Sequence, residues 1–250
     1  MDSHDHALAQ AFDGQAARFE KAPAQTDPAA LAGLVAFAEL PAGARVLDGG
    51  CGPGLVAEAF LEAGCEVTGV DLSSEMVQRA VARCARFGAR ARFEQGSALD
   101  LAAEPFDAAV SRLVLHHVTE PLVFLRAQVA RVRQGGTVVA CDRSGDPEPE
   151  RARWSDAIER ARDRTHIRCL SAGELVDLFA AAGLTALAFR EEPFQLDFDE
   201  WFDRGTPALP KDEVRRRILT GTARGFEPVP RPDGGLTLRC WRALVRGVKA

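Results

Sequence analysis

A cluster of glycines behind an acidic residue is the first candidate for chemistry in this chain. Asp48 precedes Gly50, Gly52 and Gly54, and a helical pattern follows from Leu55. Glycines at alternate positions let the backbone turn sharply and let a ligand lie directly against the peptide groups. A turn that binds a dinucleotide needs glycine or alanine where this chain has Leu55, and the acid ahead of it would repel a pyrophosphate. The turn therefore favours a ligand that carries ammonium and sulfonium charge over one that carries phosphates.

A second acidic residue follows at the end of the next predicted strand. This strand covers 66–70 and ends at Asp71, about 20 residues beyond the glycine turn, where a carboxylate can accept hydrogen bonds from both hydroxyls of a ribose. Together, Asp48, the three glycines and Asp71 resemble the motif of the class I S-adenosylmethionine-dependent methyltransferases. More narrowly, the chain resembles the type 11 branch, which includes the ubiquinone and menaquinone methyltransferases. The resemblance implies methyl transfer with S-adenosylmethionine as the cofactor.

The cofactor would be bound by residues from several parts of the chain. Leu72 directly follows the ribose acid and is a candidate apolar neighbour for adenine. Ser97 stands where related enzymes often carry an acid that accepts from the adenine amino group, and a bond to its neutral hydroxyl would be weaker. The full set of expected cofactor residues is Arg18, Asp48, Gly50, Cys51, Gly52, Gly54, Asp71, Leu72, Ser97, Ala98 and Arg112.

The two arginines in this set also have structural interpretations. The resemblance implies that the segment 12–19 folds over the cofactor, with Arg18 and Phe19 closing the site; an ordinary amphipathic packing helix is the alternative. Arg112 follows the fourth predicted strand, at the edge where open α/β sheets place their ligands. It would hold a carboxylate of the cofactor or the substrate, or else form a surface ion pair.

Three histidines are the candidates for a catalytic base. Methyl transfer from a sulfonium chiefly needs alignment of the reacting atoms and exclusion of water, and a base is needed only if the acceptor must lose a proton. His116, His117 and His166 qualify because imidazole exchanges a proton near neutral pH. The structural alternatives are a loop cap for His117 and an ion pair for His166.

The acceptor is less well defined by the sequence. The Asn/Asp-Pro-Pro-Tyr/Phe motif of enzymes that methylate amino groups is missing after strand four, where residues 111–114 read Ser-Arg-Leu-Val. We therefore expect methylation of an oxygen or a carbon of a small-molecule metabolite. Several aromatic residues of the expected lid suit a ring-bearing acceptor, or else form its core: Trp154, Phe194, Phe198, Trp201 and Phe202.

Other functions are compatible with parts of this sequence pattern. The same fold and cofactor would serve a cyclase or a decarboxylase, and a non-catalytic binding protein would use the insertions as its interface. A nicotinamide-dependent oxidoreductase is disfavoured by Leu55. Neither Gly-x-Ser-x-Gly nor Gly-x-x-x-x-Gly-Lys-Ser/Thr occurs in the sequence. Their absence disfavours a hydrolase with a nucleophile elbow and a protein that binds nucleoside triphosphates.

Strand and helix patterns alternate along most of the chain. This alternation predicts an α/β fold with a doubly wound, mostly parallel sheet of seven strands, the Rossmann-like methyltransferase fold. The last two strands are predicted at 185–189 and 236–245. We expect a single domain over 1–250, a helical cover over 1–40, and lid insertions at 146–170 and 194–231, which alternatively form a homodimer contact.

Composition limits the partners and the cell compartment. The 250 residues carry a net charge of −5, which disfavours a general nucleic-acid-binding surface. We expect no membrane partner and a cytoplasmic location, because neither a signal peptide nor a membrane-spanning apolar run is present. The six cysteines form no Cys-x-x-Cys, so we expect neither a metal site nor disulfides. Tyrosine is absent, so no phenol serves as acid or base.

Overall fold

The computed structural model describes residues 3–97, 99 and 105–250, and within them one large sheet flanked by helices. The strands are β1 Arg45–Gly49, β2 Glu66–Asp71, β3 Ala91–Gln95, β4 Phe106–Arg112, β5 Val132–Arg143, β6 Leu184–Asp197, β7 Glu227–Pro230 and β8 Leu236–Lys249. The helices are α1 Ser3–Phe19, α2 Pro23–Thr26, α3 Pro28–Ala38, α4 Leu55–Glu62, α5 Ser74–Cys84, α6 Pro121–Arg131, α7 Pro149–Arg162, α8 Ala172–Ala181, α9 Phe198–Asp203 and α10 Lys211–Ile218.

The strand order confirms the predicted doubly wound fold. The strands lie in the order β3-β2-β1-β4-β5-β8-β6. Strands β1 to β5 pair in parallel, and β8 pairs antiparallel to both β5 and β6. The described residues add an eighth strand to the seven expected, since the short β7 pairs with β8. It belongs to the 194–231 insertion, outside the alternating strand and helix pattern.

The sheet places a ligand crevice between β1 and β4. From β1 the chain winds one way to β2 and β3, and with β4 it begins to wind the other way. Such a change of direction leaves a crevice at the carboxyl ends of the strands. Apolar clusters cover both faces of the sheet, with Leu47 and Val138 in one cluster and Val46 and Val139 in the other. The strand ends are therefore held rigidly by a core on each side.

The last two long strands exceed their predicted length. β6 and β8 each have 14 residues, where only 185–189 and 236–245 were expected. They pair with each other from Leu184 with Lys249 to Asp197 with Thr237. Continuous antiparallel pairing stabilises extended backbone beyond the apolar stretch that is visible in the sequence. The extension carries the chain out of the main sheet into the second insertion.

The N-terminal helices cover the crevice. Asp13 of α1 accepts hydrogen bonds from the Ser73 hydroxyl at 2.5 Å and from the Glu75 N–H at 3.2 Å. Glu20 pairs with Arg79 of α5 at 2.6 Å. These contacts hold α1 against the first turn of α5, so the predicted cover lies directly over the carboxyl ends of β1 and β2.

The two insertions pack on each other. Their side chains form a third apolar cluster that includes Ile158 of α7, Val214 of α10 and Phe226. The aromatic residues expected on a lid contribute to it, because Phe198, Trp201 and Phe202 are all buried in this cluster. Most of the lid aromatics therefore have a packing role. Among the helices that the structure describes, none combines the length and apolar character needed to cross a membrane.

Candidate functional site

A cavity of about 280 Å³ lies at the carboxyl ends of β1, β2 and β4, beneath α1. Phe12 and Phe19 of α1 form part of its wall, as the resemblance implied for Phe19. Ligands of doubly wound sheets bind in this position. Six of the residues expected to bind the cofactor line the cavity: Gly50, Gly52, Asp71, Leu72, Ser97 and Arg112.

A side chain is disfavoured at each glycine of the turn for a different steric reason. All three have left-handed backbone, with φ of +77° at Gly50, +51° at Gly52 and +82° at Gly54. A Cβ on Gly50 would lie 2.6 Å from a methyl group of Val114, whereas one on Gly52 would meet nothing within 4 Å. Gly52 thus leaves open space on the cavity side. Gly54 does not line the cavity, and its missing Cβ instead lets the turn contact the Ala80 backbone of α5.

Asp71 fixes the glycine turn and faces the cavity. Its carboxylate accepts hydrogen bonds from the N–H of Gly52 at 2.8 Å and from the N–H of Ser73 at 2.9 Å. Burial raises the pKa of Asp71, and the two N–H donors partly offset this effect. Each oxygen has two acceptor sites, so the same carboxylate can also accept from the hydroxyls of a ribose.

Asp48 lies behind the wall of the cavity. The residue is 1% exposed, and neither carboxylate oxygen has a hydrogen-bond partner among the residues described. Burial and, next, the negative charge of Asp71 raise the pKa of Asp48 to about 7, with Arg112 acting in the opposite direction. A buried, unpaired acid is costly, and positive charge in the adjoining cavity would offset that cost. The site therefore fits the cationic nucleoside that the sequence implied.

Arg112 has a different partner from the two that were predicted. Its guanidinium donates to the carbonyl oxygens of Ala24 at 3.0 Å and of Gln25 at 3.1 Å. It is buried and lies at the cavity wall. Arg112 thereby holds α2 across the strand ends, and its expected contact with a carboxylate of the cofactor or the substrate stays a prediction.

Arg18 and Cys51 are not among the residues that line the cavity. Arg18 is exposed and donates to the carbonyl of Gly14 at 3.4 Å, so its expected contact with the cofactor stays a prediction. Cys51 is buried under the turn, and burial raises the pKa of its thiol well above the usual range. Ala98 lies outside the described residues.

The three candidate histidines come together beside a second, smaller cavity. The ring centres of His116 and His117 are 4.2 Å apart, and that of His166 lies 5.8 Å from His116. Together they line a cavity of about 50 Å³. Leu113 at its wall has φ of +59°, a strained conformation typical of functional sites. The two cavities share four wall residues: Phe12, Phe19, Leu113 and His117.

His116 forms a pair with a buried acid. Its Nδ1 lies 2.5 Å from Oδ1 of Asp142, and the other carboxylate oxygen, Oδ2, accepts from the N–H of Leu115 at 2.6 Å. Burial alone would raise the pKa of Asp142, but the charge and hydrogen bond of His116 outweigh it and lower that pKa. The ionised carboxylate can only accept, so Nδ1 donates its proton to Asp142 and Nε2 is the ring nitrogen left for another partner. Nε2 has no hydrogen-bond partner among the described residues.

His117 is held as a neutral ring. Its Nδ1 lies 3.1 Å from the carbonyl oxygen and 3.1 Å from the hydroxyl of Thr165. Burial and, next, the positive charge of His116 lower the pKa of His117 to about 3. A base this weak accepts few protons near neutral pH. The structure therefore favours a positioning role for His117, which is close to the loop cap that the sequence left open as its structural alternative.

His166 belongs to a buried polar group within the first insertion. Its Nε2 lies 2.8 Å from Oδ1 of Asp156, and the same oxygen accepts from the N–H of Cys169 at 3.0 Å. The potential ligand atoms of these three side chains lie within 4.8 Å of one another. Their spacing in the sequence gave no sign of this cluster. The hydrogen bonds of Asp156 indicate that this cluster anchors the loop after α7.

Comparison with known proteins identifies the family. A model of the methyltransferase domain family matches residues 23–188, about two thirds of the chain. This chain belongs to that methyltransferase family. The uncharacterized methyltransferase YcgJ of Bacillus subtilis is 33% identical over 192 residues, which cover 75% of this chain and 74% of the relative. Its crystal structure matches with a TM-score of 0.79 and 28% identity, covering 88% of this chain and 97% of that protein.

Two further relatives extend the comparison. The ubiquinone biosynthesis O-methyltransferase of Xanthomonas campestris is 39% identical over 115 residues, which are 45% of this chain and 48% of the relative. A phosphoethanolamine N-methyltransferase of Haemonchus contortus, solved with S-adenosylmethionine, has a TM-score of 0.68 at 17% identity and covers all of this chain and 60% of that one. The latter likeness shows the fold alone. The expected family, fold and enzyme class are confirmed for this methyltransferase.

Sequence reasoning missed Asp142 and several charged residues that line the second cavity of this methyltransferase. Asp142 directly follows the apolar stretch of β5, and its place at a strand end was a usable signal. Arg143 and Glu159 form an ion pair at the cavity, and Arg162 and Arg204 also line it. The last three residues come from the insertions, where nothing in the local pattern sets them apart from surface charges.

Proposed function

We propose that this methyltransferase methylates an oxygen or a carbon of a small-molecule metabolite, with His116 as the base. The acceptor would lie in the second cavity, which shares its wall with the first. The observation that carries this proposal is the His116 and Asp142 pair, whose geometry leaves Nε2 available toward the acceptor.

A base at this place suits some acceptors better than others. A neutral amine attacks through its own lone pair and can release its proton to water afterwards. A hydroxyl, or a carbon beside a carbonyl, must lose its proton as the new bond forms. Nε2 of His116 takes that proton, and the ionised Asp142 stabilises the resulting imidazolium. The pair therefore supports an oxygen or carbon acceptor.

The first cavity supplies the residues for the cofactor. Asp71 would accept from the ribose hydroxyls, Gly52 gives the close approach of the backbone, and the charge of Asp48 favours a cation. S-adenosylmethionine, when bound, supplies a methyl group activated by the sulfonium sulfur. Phe12 and Phe19 close the site above it, so that water is kept from the reacting atoms.

The similarity to a named relative agrees with oxygen as one acceptor atom. By its name the Xanthomonas campestris protein is an O-methyltransferase of ubiquinone biosynthesis, and it shares 39% identity over 115 residues. The match covers 48% of that protein, so its substrate is not transferred to this chain. The chemistry that we carry over is limited to the acceptor atom.

The test compares three acceptors that differ in the reacting atom. Catechol, phenylpyruvate and phenethylamine are each incubated with the enzyme and S-adenosylmethionine, and release of S-adenosylhomocysteine is measured. We expect release with catechol or phenylpyruvate, and a rate at least about 100-fold lower in His116→Gln. His6→Ala, an exposed histidine of α1, is the matched control. Turnover of the amine alone, or full activity of His116→Gln, would contradict the proposal.

A further inference from the structure

A buried arginine stands out at the second cavity. Arg204 follows α9, is 6% exposed and lines the cavity. Its guanidinium makes no hydrogen bond with any described residue, and Nε and Nη1 are both sealed from solvent without a partner. The nearest acid is Glu200, whose Oε1 lies 3.6 Å from Nε, too far for a hydrogen bond. Buried polar groups in folded proteins nearly always have partners, so this guanidinium points to a ligand.

The other cations at this cavity are neutralised. Arg143 pairs with the buried Glu159. Arg162 donates to the carbonyl of Trp201 at 2.7 Å and pairs with Asp163 at 3.1 Å. Arg204 differs from them because its ion pair is with the partly exposed Glu200, at 3.6 Å and without a hydrogen bond.

Arg204 keeps its charge under physiological conditions. Burial and, next, the positive charge of Arg162 lower the pKa of Arg204 to about 10, which still leaves it protonated near neutral pH. A planar, fully charged guanidinium with free N–H groups matches the two oxygens of a carboxylate.

We propose that the second cavity binds a carboxylate of the methyl acceptor through Arg204, so that the substrate class is a small, ring-bearing carboxylic acid. This inference rests on the proposed function. One negative charge is favoured over the higher charge of a phosphate, because Glu159 and Asp163 already line the same cavity. The ring is favoured by the aromatic walls, where the Arg204 guanidinium carbon lies 5.6 Å from the centre of Phe19 and where Phe12 and Phe194 also contribute.

The position of Arg204 agrees with the role of His116. Both side chains line the same small cavity, so an acid held at one end places its ring near the imidazole. The arginine then orients the substrate, and the histidine meets the hydroxyl or carbon that is to be methylated. The substrate class thus follows from two independent features of one cavity.

The test uses benzoate and benzamide, which have similar shapes and differ in charge. We expect 10 mM benzoate to raise the melting temperature of the wild-type protein by about 3 °C, if its Kd is near 1 mM, and benzamide to leave it unchanged. The benzoate shift should vanish in Arg204→Met and persist partly in Arg204→Lys. It should be unchanged in Arg216→Met, which alters an exposed arginine paired with Glu213.

The outcomes separate this inference from the proposed function. Arg204→Met should fold, because methionine removes a buried guanidinium that makes no hydrogen bond and puts an unbranched apolar side chain in its place. It should keep the full melting shift given by S-adenosylhomocysteine. A benzoate shift that survives in Arg204→Met, equal shifts with benzoate and benzamide, or no benzoate shift in the wild type would overturn the carboxylate site. Absence of an S-adenosylhomocysteine shift in the wild type would instead overturn the cofactor assignment.

Discussion

The imidazole Nδ1 of His116 lies 2.5 Å from Oδ1 of Asp142, and this contact joins the loop after β4 to the end of β5. The two strands are neighbours in the sheet and run in parallel, so their carboxyl ends bring the two side chains to one place. His116 also lines the second cavity, and Nε2 is the ring nitrogen that this pairing leaves for another partner.

Replacing Asp142 should impair catalysis without removing the base. Asp142→Asn presents an amide in place of the carboxylate, so it no longer fixes the Nδ1 proton or stabilises the imidazolium. We expect kcat to fall by about 10- to 1,000-fold, with a smaller change in the affinity for S-adenosylhomocysteine. Steady-state kinetics and equilibrium binding measure the two effects. Equal losses in both would mean that Asp142 is only structural.

The pH dependence of stability should reveal the buried Asp48. Because its pKa rises from 3.8 to about 7 on folding, its contribution to stability is fully present below 3.8 and is lost as the pH rises through 7. Asp48→Asn removes this dependence. Relative to the wild type, the variant should therefore gain stability between pH 5 and pH 8, by about 2–3 kcal/mol. Chemical unfolding at both pH values measures the difference in unfolding free energy between the two proteins. A difference that does not grow with pH would contradict this prediction.

The affinity for the cofactor should also depend on the ionisation of Asp48. It should increase with pH, whereas the contribution of Asp48 to stability decreases. A cationic ligand favours ionised Asp48, so binding of S-adenosylmethionine should strengthen as the pH rises from 6 to 8. Calorimetric titrations of the wild type and of Asp48→Asn, in matched buffers, give the comparison. We expect the variant to lose most of this dependence. The same slope in both proteins would show that Asp48 does not sense the ligand.

Two glycines of one turn should respond differently to alanine. In Gly54→Ala the new Cβ would lie 2.9 Å from the Ala80 backbone, so we expect a loss of stability of about 1–3 kcal/mol. In Gly52→Ala the Cβ meets no protein atom within 4 Å, although the φ of +51° is strained for alanine, and Gly52 lines the first cavity. Its main effect should be weaker binding of S-adenosylhomocysteine. Melting curves with and without ligand separate the two, and identical behaviour would refute the assignment.

Much of the site could be predicted because its signals are local. The turn of Gly50 and Gly52 and the acid Asp71 lie at the ends of adjacent parallel strands, so the short sequence pattern fixes their geometry. The exposed position of Arg18 could not be predicted, because the face that α1 turns to the cavity depends on its tertiary contact with α5, such as that of Asp13 with Ser73. Spacing alone does not determine that rotation.

The second cavity could not be predicted from the sequence, because it forms through long-range contacts. His116 and His166 are 50 positions apart and meet only when the loop after α7 returns to the end of β4. Arg204 is typical of a surface arginine in sequence and becomes buried because both insertions pack over it. The length of β6 likewise depends on pairing with β8, which lies far along the chain.

Binding of S-adenosylhomocysteine to the wild type and to Asp71→Asn tests the central assignment most directly. Isothermal titration of both proteins gives the two dissociation constants, and circular dichroism checks that the variant is folded. The account predicts clear binding to the wild type and binding about 10- to 100-fold weaker in Asp71→Asn, since a charge-assisted hydrogen bond to the ribose is lost. Equal affinity in the two folded proteins, or no binding to the wild type, would contradict it.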